Sequence, residues 1–154
     1  NWIRVRALER DQTEGPAEQV GVASVIGIVI VAHGGLAKEY LAAVEHVFGV
    51  QSGLQAISIE PVHSRAAKQQ EICAAADQVD EGDGVIIVTD MFGSSPSNLS
   101  LTACAPSDRR IVYGANLPML LKLAKCRSKP VGDAVKSALE AGRKYIDSQN
   151  ISID

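Results

Sequence analysis

Residues 25–32, Val25-Ile26-Gly27-Ile28-Val29-Ile30-Val31-Ala32, form an uncharged run dominated by β-branched side chains. Such a run fits a strand covered on both faces and is far too short to cross a bilayer. His33-Gly34-Gly35 breaks it, and Leu36, Tyr40, Leu41, Val44, Val47 and Phe48 then recur at helical spacing until Gly49 supplies a stop. The alternation returns downstream. Leu54 to Ile59 reads as a second strand, and Ser64 as the cap of a helix whose apolar face is Ile72, Ala75, Ala76 and Val79. Val85 to Thr89 is a third strand and Arg110 to Tyr113 a fourth. Pro96 and Pro118 open further helices, the first ending near Ala103 and the second at Lys125. Val131, Val135, Leu139 and Tyr145-Ile146 mark a long last helix. Strands alternating with helices at this spacing predict an α/β fold: a doubly wound, mostly parallel sheet with helices on both faces.

Length sets the frame for that fold. A chain of 154 residues is one domain's worth, able to bury a core without metal or disulfide staples. The first 24 residues show neither periodicity, so they are expected to be a poorly ordered extension before a working domain at 25–154. Net charge is −3, which argues against a nucleic-acid partner or an anionic membrane surface. Cys73, Cys104 and Cys126 are widely spaced, so reduced thiols rather than disulfides or zinc are expected. No stretch resembles a signal peptide or a membrane span, and the expectation is a cytoplasmic protein.

In doubly wound sheets ligands bind beyond the carboxyl ends of the strands, where strand order reverses. Three loops leave those ends: His33 to Gly35, Asp90 to Pro96, and Gly114 to Pro118. With the flavodoxin-like order 2-1-3-4, His33 and Asp90 project into one crevice from adjacent strands. An imidazole at a helix start serves as base, metal ligand or nucleophile; its plain alternative is a histidine satisfied by nearby backbone. His46 and His63 are not spaced to complete a metal site, so no metal is expected. A carboxylate bonded to Nδ1–H fixes the tautomer and leaves the Nε2 lone pair outward. Ser94, Ser95 and Ser97 include a helix cap, yet a Gly-Ser-Ser-Pro turn also presents donors to an anion. Together these residues suggest phosphoryl transfer onto His33. No G-x-S-x-G elbow, P-loop or G-x-G-x-x-G fingerprint is present, which disfavours a seryl hydrolase, a nucleotide-dependent kinase or a dehydrogenase.

Three ordered motifs, Ile28 to Gly35, Val88 to Asn98 and Gly114 to Leu120, make the segment from Ile26 to about Ile146 resemble the IIA component of the mannose family of the sugar phosphotransferase system (PTS). The resemblance implies a phosphotransferase component with no cofactor, in which His33 is phosphorylated on Nε2 and Asp90 orients it. Ser95, with Ser94, Gly34 and amides of the same turn, would contact the phosphoryl group. It also implies the phosphocarrier HPr as donor, and as acceptor a IIB component that is a separate chain or absent. A homodimer is implied as well, with an exchanged C-terminal edge strand for which Ile151-Ser152-Ile153 is the candidate. Two alternatives stand beside it. One is a regulatory PTS phosphoprotein that controls a partner without sugar transport. The other is a non-catalytic small-ligand-binding module on the same scaffold. A related phosphoryl donor for dihydroxyacetone kinase fits the Gly114 to Leu120 motif less well.

Overall fold

A computed structural model describes residues 24–152 except 63, 92, 94 and 101–107. The expected N-terminal extension, apart from Ser24, therefore lies outside the described residues, as do His63, Ser94, Cys104 and Ile153. Each β-branched run is a strand. β1 (Gly27–His33), β2 (Leu54–Ile59), β3 (Val85–Thr89) and β4 (Arg109–Val112) form one parallel sheet in the order β2-β1-β3-β4. The helices are α1 (Leu36–Phe48), α2 (Arg65–Val79), α3 (Ser95–Ser100), α4 (Leu117–Lys125) and α5 (Val131–Lys144).

Side chains of a strand point alternately to its two faces, and here both faces are covered. Ile28, Ile30 and Ala32 of β1, with Ile86 and Val88 of β3, pack against Val44 of α1, Leu120 and Leu123 of α4 and Ala134 of α5. Val29, Val31, Val85 and Ile87 face the opposite side, where Ile72, Ala76 and Val79 of α2 and Leu99 of α3 meet them. The edge strands are less apolar: Gln55 and Ser58 on β2 and Arg109 on β4 are half-buried. The uncharged runs are thus the two central strands, which water does not reach.

Local chemistry sets the element ends. The Ser64 hydroxyl accepts from the Ala67 amide at 3.3 Å, capping α2 as predicted. Asn116 Oδ1 accepts from the Met119 amide at 3.0 Å and caps α4, with Pro118 in its first turn. Gly27 has to be glycine for a packing reason, because a Cβ there would overlap the Val79 carbonyl at the end of α2.

Several ends differ from expectation. β1 begins at Gly27 rather than Val25, because the amides of the first two residues bond elsewhere. The Val25 amide donates to the Glu81 carboxylate at 3.1 Å, and the Ile26 amide donates to the Arg127 carbonyl at 2.9 Å. β4 starts one residue early, at Arg109, whose guanidinium donates to Asp77 at 2.7 Å and to Asp80 at 3.1 Å. α5 ends at Lys144, leaving Tyr145 and Ile146 exposed. Beyond it, residues 146–152 carry no regular structure in the single chain, and the Ile151 side chain is open to solvent. Among the described residues no helix is long and apolar enough to cross a membrane.

The strand order reverses between β1 and β3. From β1 the chain moves outward to β2, then crosses back to β3 and continues to β4. The carboxyl ends of these two neighbours therefore open a crevice, with His33 at the end of β1 and Asp90 directly after β3.

Candidate functional site

His33 is the last residue of β1, and its side chain is 51% exposed although the strand behind it is fully buried. Gly34 follows at φ +54, a left-handed conformation in which other residues are strained. Its amide donates to the Ile59 carbonyl at the end of β2, at 2.9 Å. With that amide engaged, the part Gly34 plays is to turn the chain sharply from strand to α1. Gly35 is the N-cap of α1 and supplies no side-chain cap.

Asp90 comes immediately after β3, one strand over, and its side chain is 10% exposed. One of its oxygens, Oδ2, accepts the His33 backbone amide at 3.0 Å and lies 2.8 Å from Nδ1 of the ring. Burial raises the Asp90 pKa, but the two hydrogen bonds and the charge attraction from His33 outweigh it, and the carboxyl sits below its ordinary range. An ionised carboxylate only accepts, so the ring carries its proton on Nδ1. In the neutral ring that tautomer puts the lone pair on Nε2, the nitrogen that Asp90 does not engage. The double contact also locks strand end and ring together, so the ring orientation is set by β3 as well as β1.

Ser95 opens α3 at the same end of the sheet and is exposed, while Ser97 is buried beneath it. Ser94 lies outside the described residues. The third loop, Gly114 to Asn116, is held to the second because the Ala115 amide donates to the Thr89 carbonyl at 3.0 Å. His46 is exposed on α1, away from the β1 terminus. Among the described residues no group of three or more His, Cys, Asp or Glu side chains could hold a metal ion. A groove of about 580 Å³ between α4 and α5 is lined by Leu117, Leu121, Lys122, Lys125 and Tyr145, but neither His33 nor Asp90 reaches it. The His33 ring sits instead at the exposed end of β1.

Sequence reasoning missed one neighbour of the site. Tyr40 was counted only for its apolar ring on the inner face of α1, yet its hydroxyl donates to the Ala115 carbonyl at 3.1 Å. The signal was available: a tyrosine on a core-facing helix stripe has a hydroxyl that needs a partner.

Comparison with known proteins gives the family and the fold. The family described as "EIIA-man: PTS system fructose IIA component" matches residues 27–140. A putative phosphotransferase enzyme IIA component of Escherichia coli (strain K12), YadI, is 30% identical over 104 residues, covering 67% of this chain and 71% of that protein. The PTS system mannose-specific EIIAB component of the same organism is 27% identical over 124 residues, covering 79% of this chain but 38% of its own length. The chain thus spans well under half of that relative. Among solved structures, the mannose/sorbose specific IIA subunit of the phosphotransferase system from Enterococcus faecalis superposes with a TM-score of 0.73 at 19% identity, over 83% of this chain and 97% of that one. At that identity the match speaks for the fold.

Proposed function

From the premise that this chain belongs to the EIIA-man family of phosphotransferase-system IIA components, we propose that His33 is its phosphoryl acceptor. In this reading the protein takes the group from phospho-HPr and passes it to a IIB component during sugar uptake. One observation carries the reading: Asp90 holds the ring through Nδ1 and the side chain is 51% exposed, which leaves Nε2 as the ring nitrogen that Asp90 does not engage.

The electron bookkeeping is simple. The Nε2 lone pair attacks phosphorus in line, the donor's P–N bond breaks, and its electron pair stays on the donor nitrogen. No base is needed, because Nε2 has no proton to lose. The product ring carries Nδ1–H and Nε2–P and is therefore cationic, and the Asp90 carboxylate stabilises that charge at 2.8 Å. Passing the group to IIB runs the same step in reverse. Ser95, with Ser94 and amides of the turn, contacts the phosphoryl oxygens. The three loops contain no Lys or Arg that would trap the group, as suits a relay.

An exposed imidazole also suits a protein donor. Leu36 and Leu117, the first residues of α1 and α4, and Met91, after β3, expose apolar side chains at the His33 end of the sheet. Such a ring offers the desolvated contact that brings two histidines into line. The proposed dimer draws on the exposed Ile151 and on β4, the outermost strand of the sheet among the described residues, as the edge for a tail from a second copy.

The test is incubation with phosphoenolpyruvate, Enzyme I and HPr. Acid-labile phosphate on the wild-type chain, and none on His33→Ala, is the expected result. Labelling that survives His33→Ala would overturn it.

A further inference from the structure

Resting on the assignment of His33 as acceptor, the geometry points to Tyr40 as a positioning residue that holds the Asp90–His33 pair through the Gly114–Asn116 loop. The contacts close into a ring. His33 leads through Gly34 and Gly35 into α1, which carries Tyr40 about one turn along. The Tyr40 hydroxyl donates to the Ala115 carbonyl at 3.1 Å, and the Ala115 amide donates to the Thr89 carbonyl at 3.0 Å. Thr89 is followed by Asp90, whose Oδ2 returns to the His33 amide and ring. One residue, Ala115, is therefore pinned by both of its backbone polar groups between the helix after His33 and the strand before Asp90.

Neighbouring groups reinforce this. The other side of the loop is tied down as well, since Asn116 Nδ2 donates to the Gly142 carbonyl at 2.7 Å. The Tyr40 ring packs against the cluster formed by β1, α1 and α4, so the hydroxyl reaches Ala115 from a supported aromatic. Burial, and after it the negative charge of Asp90, raise the phenol above its ordinary range. The group thus remains a donor across the whole range in which imidazole works. No covalent step is assigned to it. Without the hydroxyl the Ala115 carbonyl loses its partner, the loop relaxes, and Asp90 is free to drift from the plane of the ring.

Tyr40→Phe keeps the ring and removes only the hydrogen bond, so folding is retained. Nitrogen-15 NMR of the His33 imidazole reads the consequence without any donor protein. The expected result is a larger Nε2–H share in Tyr40→Phe than in wild type, with Tyr145→Phe unchanged. Phosphoryl transfer from phospho-HPr should slow by about fivefold, the factor that one ordinary hydrogen bond contributes. Identical tautomer ratios in wild type and Tyr40→Phe would overturn the inference. The two readings fail separately: a wild-type chain that takes no phosphate on His33 sinks the acceptor assignment, whereas the tautomer measurement judges Tyr40 alone.

Discussion

His33 is unusual for a residue at the end of a buried strand because its ring is half in water while both its amide and its Nδ1 are tied to a single carboxylate oxygen. That asymmetry makes the two nitrogens chemically distinct. His33→Ala should abolish phosphoryl acceptance outright. Asp90→Asn keeps the shape but replaces a charge-assisted bond, which contributes roughly 1.5–3 kcal/mol, so transfer should slow by about 10- to 100-fold in a single-turnover assay. Ser95→Ala should cost less, because neighbouring amides share its proposed task. Asp90 also leaves a mark on acid stability. Its native pKa lies below the unfolded value, so its ionised form favours the native state above the ordinary carboxylate range and loses that effect as pH falls through the native value. The gap in urea midpoint between wild type and Asp90→Asn should therefore narrow between about pH 5 and pH 2. A gap that widens over that interval would contradict the assignment.

Among the elements, those legible in the sequence were the ones whose limits are set locally. β2 and β3 run from Leu54 to Ile59 and from Val85 to Thr89 as read, because Gly, Pro and Asp residues bound each apolar run. α1 likewise ends at Gly49, whose φ of +79 suits glycine. The meeting of His33 with Asp90 followed from strand order alone. What stayed hidden depends on contacts distant in sequence. Arg127 is buried after α4, where its Nε donates to the Ile26 carbonyl at 2.7 Å and burial lowers its guanidinium to about 10. No local pattern marks an arginine as interior. For Tyr40 the need of a hydroxyl partner was legible but the identity of that partner was not, since it lies 75 residues away. Asn116 shows how much one such residue can carry. It caps α4 and bonds the Gly142 carbonyl of α5 with one side chain, so Asn116→Ala should lower stability by about 2 kcal/mol, measured by chemical denaturation. A loss under about 0.5 kcal/mol would mean that neither bond matters.

For the whole molecule, a doubly wound sheet turns two buried strands into a rigid mount for one exposed ring. The aliphatic composition serves that mount, and the small net charge suits the proposed delivery of phosphate by a docked protein. The tail after α5 contributes nothing to this core, with Ile146 and Ile151 both exposed. If it pairs with a second copy, removing residues 146–154 should convert a dimer into a monomer in sedimentation, while His33 still accepts phosphate. A full-length chain that sediments as a monomer would contradict the exchange. The central claim concerns a single bond, and heteronuclear NMR of the phosphorylated chain reads it directly. Coupling of phosphorus-31 to Nε2 of His33, with the proton retained on Nδ1, is the predicted result; phosphorus on Nδ1, or on any other residue, would contradict it.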